Sequence, residues 1–190
     1  MRKLKLQMHL TLDNHVNMED GGSKFKWDQE VIEFCVQNLQ DVDTILLGRK
    51  TAGDLIPFWD DVATNPGNKD FNLGKRISEI PKLVLSNSMV HNEWKNTKLL
   101  KGNLKDEISK LKNTSGESIL VYGGASFAAS LIQSDLVDEF YFLLNPFTMG
   151  KGATIFKKDQ GVQTFTFLSS KPFPCGTIML NYKPNVPINS

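Results

Sequence analysis

Cysteine, histidine and net charge are all scarce in this chain of 190 residues, and each scarcity removes a class of protein. Two cysteines, Cys35 and Cys175, cannot form a disulfide framework. The three histidines, His9, His15 and His91, make no HxH or HxxxH pair, so no metal site is expected. Lys and Arg number 22 against 21 Asp and Glu, a formal balance of +1 that lacks the basic excess of a nucleic-acid binder. No apolar run approaches the ~20 residues needed to span a bilayer. The first eight residues alternate polar and apolar, without the apolar stretch of a secretory signal. The expected setting is therefore cytoplasmic and reducing, with no membrane or nucleic-acid partner. The HxE and PCxxC signatures of zinc deaminases are absent, as is the GxGxxG of standard dinucleotide sites. What is present is a 40% hydrophobic share, enough for one core, and no linker or repeat divides residues 1–190.

Hydrophobic periodicity orders the chain. Residues 4–10 alternate with period two and predict a strand ending at the turn-favouring Asp13-Asn14. A polar loop with Gly21-Gly22 follows, and Trp27, Val31, Phe34, Cys35 and Leu39 then recur at helical spacing. Residues 42–47 form a short apolar run closed by Gly48, which predicts a buried strand. Residues 57–74 carry Pro, Asn, Asp and Gly without clear period, and a long surface excursion is expected there. Further strands are predicted at 82–85, 118–122 and 139–144, with helices around Leu104, Ile108 and Leu111 and around Phe127, Ala128, Leu131 and Ile132. Residues 163–168 and 177–182 alternate and suggest an antiparallel pair at one end of the sheet. Alternating strands and helices predict an α/β fold, a mainly parallel sheet covered on both faces.

In such folds ligands sit beyond the carboxyl ends of the strands, so the junctions after each strand carry the functional candidates. Gly123-Gly124-Ala125-Ser126 separates a buried strand from a helix. It reads equally as an anion cradle at a helix N-terminus or as a tight turn requiring positive φ. Gly48-Arg49-Lys50-Thr51 offers a guanidinium fork and a hydroxyl suited to phosphate, although an arginine after a strand is more often a solvated charge. Ser86 and Ser88 present short hydroxyls that suit a phosphate or a simple turn cap. Asp13, at the exit of the first strand, offers a carboxylate for a substrate's polar edge or a proton relay, or a purely local turn residue.

In order, these motifs resemble the dihydrofolate-reductase-like superfamily, and within it the reductase domain of riboflavin-biosynthesis deaminase–reductases and its stand-alone relatives. Thr11-Leu12-Asp13-Asn14 stands where that family has Ser-Leu-Asp-Gly, and Gly48-Arg49-Lys50-Thr51 matches its Gly-Arg-x-Thr. Gly123-Gly124-Ala125-Ser126 with the trailing Leu136-Val137-Asp138-Glu139 is similar to its Gly-Gly block, and Asn145-Pro146 through Gly150-Lys151-Gly152 to its Pro-x-x-x-Gly-x-Gly loop. Asn14 replaces the usual Gly, but Asn also tolerates the left-handed region.

The resemblance implies a three-layer αβα fold with a mixed, mainly parallel sheet of about eight strands. It implies a reductase that passes hydride from NADPH to a small-molecule substrate, of the 5-amino-6-(5-phosphoribosylamino)uracil reductase type. Dihydrofolate-reductase-like pteridine reduction and a nucleotide-binding protein without turnover are the alternatives. Gly123, Gly124, Ala125 and Ser126 would receive the pyrophosphate, with Gly48, Arg49 and Thr51 holding cofactor phosphates. Ser86 and Ser88 would lie near the adenosine 2′-phosphate, and Asp13 would stand on the substrate side as the catalytic residue. No carboxylate aligns with the pterin-binding acid of dihydrofolate reductases, although Asp28 and Glu30 lie near that place. Related domains pair, so a homodimer is expected, with Phe165, Phe167, Ile178, Leu180 and Tyr182 as the apolar surface.

Overall fold

A computed structural model of the chain describes residues 1–16, 25–157 and 161–185, so the Gly21-Gly22 loop lies outside the described residues. The elements run β1 (Leu4–Thr11), α1 (Gln29–Asn38), β2 (Val42–Gly48), α2 (Arg49–Val62), α3 (Phe71–Glu79), β3 (Lys82–Leu85) and β4 (Thr97–Leu100). They continue with α4 (Leu104–Lys112), β5 (Ser118–Tyr122), α5 (Ala125–Gln133), β6 (Glu139–Asn145), β7 (Phe165–Pro172) and β8 (Ile178–Pro184). The strands form one eight-stranded sheet in the order β4-β3-β2-β5-β1-β6-β8-β7. The first six in that order are parallel, and β8 and β7 close the sheet as the expected antiparallel pair.

Both faces are covered. Val31, Phe34, Ile56, Trp59, Leu73 and Ile77 of α1, α2 and α3 pack on Ile45, Leu47 and Leu120 on one side. Ile108, Leu131 and Ile132 of α4 and α5 pack on Leu4, Leu6, Leu46 and Val121 on the other. Every one of these side chains is at least nine-tenths buried. Burying an aliphatic chain of this size contributes roughly 1.5–3 kcal/mol, which is why two thick apolar layers outweigh the cost of ordering the sheet.

Residues 57–74 are not a surface excursion. They hold the second half of α2 and the start of α3. Ala52, Ile56, Trp59 and Val62 form the buried stripe of α2, and Pro57 inside the helix hides that stripe from a periodicity reading. Pro57 removes the bond to Gly53, and both residues are exposed, so water can serve the freed carbonyl. The alternation of residues 4–10 also conceals a fact about β1. Because β1 lies between β5 and β6 under two helical layers, its polar set, Lys5, Gln7 and Thr11, is buried as well as its apolar one. β4 was hidden by its exposed, lysine-bearing edge sequence. Trp27 is not on a helix face, because α1 begins two residues later behind the N-cap Asp28, whose Oδ1 accepts from Val31 N at 2.8 Å.

Among the described residues no helix is long and apolar enough to cross a membrane.

Candidate active site

The site follows from a divergence in the chain path. β2 and β5 are parallel neighbours, yet the helix after β2 packs on one face of the sheet and the helix after β5 on the other. Two adjacent strands whose exits part in this way leave a crevice at their carboxyl ends. A cleft of about 900 Å³ occupies that position. Gly48, Arg49 and Thr51 line one wall, and Gly123, Gly124, Ala125 and Ser126 line the other.

Both walls are helix starts without side-chain caps. The N-cap residues are Gly48 (φ −80°, ψ 153°) and Gly124 (φ −73°, ψ 155°), so the first N–H groups of α2 and α5 have no capping oxygen from their own chain. Two such termini converging on one cleft favour an anion. Neither glycine sits at positive φ, so a backbone requirement for the left-handed region is not why they are glycine. Close approach is the reason. A Cβ on Gly124 would lie 2.7 Å from Thr51 Oγ1, and one on Gly48 would lie 3.0 Å from Phe127 Cβ. The cleft also holds Lys50, a second cation beside Arg49, and Asp54.

Ser86 and Ser88 are not lining residues of this cleft, whose wall reaches Leu85. Ser86 is buried, its Oγ accepts from Met89 N at 3.1 Å, and it lies 3.4 Å from Ser88 Oγ. Asp13 stands apart from the cleft. Its carboxylate accepts from Thr11 Oγ1 at 2.5 Å, from Gly150 N at 2.7 Å and from Met149 N at 3.1 Å, with His15 Nδ1 at 3.4 Å. The Thr11 hydroxyl first, and the two backbone amides with it, hold this carboxyl well below the usual carboxylate range. Asn14 takes φ 62° and donates its N–H to Thr11 O, closing the turn in the left-handed form expected for it.

A second, smaller cavity of about 230 Å³ opens from the first, and the two share Val16, Thr51, Leu55, Trp59 and Gly123. Its walls are largely apolar and aromatic: Met8, Phe25, Trp27, Trp59, Leu73 and Ile77. Among the described residues no Asp, Glu, Lys or Arg lines it. Asp28 is spent on capping α1 and on Cys175 N (2.9 Å), and Glu30 pairs with Lys171 at 3.8 Å, so neither reaches this cavity as a pterin-binding acid.

Three polar side chains line the second cavity besides Thr51: Gln7, His9 and Tyr122. The amide of Gln7 is committed, donating to Cys35 Sγ at 3.2 Å and accepting from Asn38 Nδ2 at 2.7 Å. His9 Nε2 and Tyr122 OH are closed off from water and have no hydrogen-bond partner. Burial pushes the His9 imidazole down to about 4 and the Tyr122 phenol well up, so both are neutral near pH 7. None of these three was legible as a site residue. The only local signal is a histidine and a glutamine on the polar side of a strand that the fold puts at the centre of the sheet.

The chain has a dihydrofolate-reductase-like α/β fold with an anion-favouring cleft beside a largely apolar, aromatic cavity. Residues 2–179 match the family model of the RibD C-terminal domain, and the chain belongs to that family. It is 28% identical over 196 residues to YyaP, an uncharacterized protein of Bacillus subtilis (strain 168), covering 97% of this chain and 96% of that one. The crystal structure of a protein of Shewanella sp. PV-4 assigned to riboflavin biosynthesis superposes with a TM-score of 0.77 at 20% identity, covering 97% of this chain and 99% of the other. Dihydrofolate reductase from Enterococcus faecalis, complexed with NADP(H), gives a TM-score of 0.64 at 14% identity, covering 97% of each chain. At these identities the two structures show the fold.

Proposed function

We propose that the protein is a cytoplasmic NADPH-dependent reductase, acting on a ribosylamino-pyrimidine or related ring-bearing small molecule. The observation that carries this reading is the pairing of two uncapped helix N-termini and Arg49 in one cleft with a largely apolar, aromatic cavity opening from it. The residues fit the cofactor's chemistry. Gly123, Gly124, Ala125 and Ser126 would hold the pyrophosphate on the first N–H groups of α5. Arg49, Thr51 and Gly48 would hold the phosphates on the α2 side, and Ser86 and Ser88 would extend that wall toward a 2′-phosphate. Bound there, NADPH would supply the hydride; the chain supplies orientation and exclusion of water. Asp13 acts on the substrate side of this division through the loop it clamps, since its carboxylate is fully engaged there.

Pteridine reduction is the weaker reading, because among the described residues no carboxylate lines the second cavity to pair with a protonated pterin ring. The test is NADPH titration followed by NADPH oxidation over a panel of pyrimidine and pterin substrates. Tight NADPH binding with turnover on a pyrimidine supports the proposal. Tight binding without turnover on any of them favours a nucleotide-binding protein instead, and equal affinity for NADH defeats the cofactor assignment.

The same reading includes a homodimer. Phe167 (55% exposed) and Ile178 (40%) remain open on the β7–β8 pair, whereas Phe165, Leu180 and Tyr182 pack against the core of their own chain. Sedimentation should give twice the 21.3 kDa of the chain, and a single 21.3 kDa species at micromolar concentration defeats it.

A further inference from the structure

Asn145 is the last residue of β6, is fully buried, and uses both ends of its amide. Its Oδ1 accepts from Lys26 N at 3.0 Å and from Thr177 Oγ1 at 3.3 Å. Its Nδ2 donates to Leu143 O at 2.8 Å and to Leu10 O at 3.2 Å, and stands 3.3 Å from His9 Nδ1. A backbone N–H can only donate and a backbone carbonyl only accept, so the amide cannot be turned round. A carboxylate in its place would set an oxygen against two carbonyl oxygens, and an alkyl chain would leave these groups unpaired. The position calls for an amide.

What that amide reaches is a segment outside regular structure. Phe25, Lys26 and Trp27 precede α1 and belong to no helix or strand, yet Phe25 and Trp27 line the second cavity. Trp27 is 37% exposed, so burial alone fixes the segment weakly. Asn145 fastens it in two ways. It takes the Lys26 N–H between the two aromatic residues, and it faces His9, whose ring centroid lies 4.7 Å from that of Trp27 and 5.4 Å from that of Phe25. The turn between β7 and β8 braces the amide from behind. Thr177 donates to the same Oδ1, and a Cβ on Gly176 would come within 3.2 Å of Pro146 Cγ. Asp28 moors the segment to the same turn by accepting from Cys175 N at 2.9 Å.

We propose that Asn145 is a positioning residue of the second cavity, holding the Phe25–Trp27 segment at a fixed distance from the ends of β1 and β6. It acts through Phe25 and Trp27, which form the wall a ligand would meet. The tether stands whatever the cavity binds, and its effect on a substrate rests on the reductase reading. Loss of the amide should loosen the segment and weaken the ring-bearing substrate. It should spare the cofactor, whose cleft lies at the starts of α2 and α5.

The parent chain, Asn145→Ala and Thr177→Val are compared by amide hydrogen exchange and by the indole N–H resonance of Trp27. In the parent the Lys26 amide should exchange roughly a hundredfold more slowly than in an unfolded peptide. Asn145→Ala should lose most of that protection and shift the Trp27 resonance, while the amides of β5, which report global unfolding, change less. Thr177→Val removes a hydroxyl from the same Oδ1 but leaves Lys26 bonded, so it should keep the Lys26 protection even where it melts lower. With 5-amino-6-(5-phosphoribosylamino)uracil and NADPH, Asn145→Ala should raise KM for the pyrimidine about tenfold, with kcat and NADPH affinity nearly unchanged. An unprotected Lys26 amide in the parent overturns the proposal before any substitution, so failure of Asn145→Ala to fold does not shelter it. Equal loss of protection at Lys26 and in β5, or equal loss in the two variants, overturns it as well. So does an unchanged KM in a variant whose Lys26 protection is gone. Absence of turnover by a parent whose Lys26 amide is protected through Asn145 defeats the reductase reading and upholds the tether.

Discussion

Gly124 and Thr51 meet across the cleft, with the place where a Cβ on Gly124 would stand only 2.7 Å from the Thr51 hydroxyl oxygen. The missing methyl group is what brings the starts of α2 and α5 within reach of one ligand. Gly124→Ala should push Thr51 aside and weaken NADPH about tenfold, and Gly124→Val should abolish binding, with thermal unfolding nearly unchanged because the clash lies in the cleft. Coupling is the sharper check. Thr51→Ala, which removes the hydroxyl that the new methyl group would meet, combined with Gly124→Ala should lose less than the sum of the two single losses by titration; strict additivity removes the contact from the account.

Arg49 is the planar cation at the same cleft. Arg49→Ala should weaken NADPH by about 1.5–3 kcal/mol, the range for a hydrogen bond to a charged group. NADH, lacking the extra phosphate, should lose less. Isothermal titration of both cofactors against both proteins gives the ratio directly, and an equal loss for the two assigns Arg49 to the shared pyrophosphate instead.

His9 makes stability depend on pH. Its imidazole titrates at about 4 in the folded chain against 6.5 when free, because burial disfavours the cation. The unfolded state therefore takes up a proton first as pH falls. Stability from this group is complete above pH 6.5 and declines as pH drops through the interval to about 4, by about 3 kcal/mol in all. Urea unfolding at several pH values should show that slope, and His9→Phe should remove it.

Asp13 supplies a slope at lower pH. Its folded carboxyl is depressed by Thr11 and the amides of residues 149 and 150, so its contribution is present above the ordinary value of 3.8 and lost as pH falls below it. Asp13→Asn substitutes a donor where acceptors are needed. The variant should melt lower at pH 7 and bind NADPH with unchanged affinity, while turnover falls. A loss of NADPH affinity would put Asp13 on the cofactor side of the site.

The architecture was legible because alternating strand and helix patterns, two buried apolar layers and a closing antiparallel pair all left local traces. Gly48-Arg49-Lys50-Thr51 and Gly123-Gly124 were legible for the same reason: each is a short run at a strand exit, and each lines the cleft. The second cavity was not. His9, Trp59 and Tyr122 come from β1, α2 and β5, and only the strand order brings them together. The period of α2 was masked by Pro57. Asp13 was visible as a carboxylate at a strand end, but its three donors lie at Thr11 and in a loop more than 130 residues away. Local sequence shows that a group is present and not that its bonds are already taken.

The parting of the chain after β2 and β5 separates what can vary from what cannot. The cleft at the two helix starts depends on Gly48 and Gly124, where an added Cβ would meet Phe127 or Thr51. The aromatic cavity draws most of its wall from side chains of β1, α2, α3 and β5 that, Thr51 apart, lie away from the helix starts. New ring preferences can thus arise in this scaffold by exchanging a handful of inward-facing residues, while the two uncapped helix starts are inherited intact.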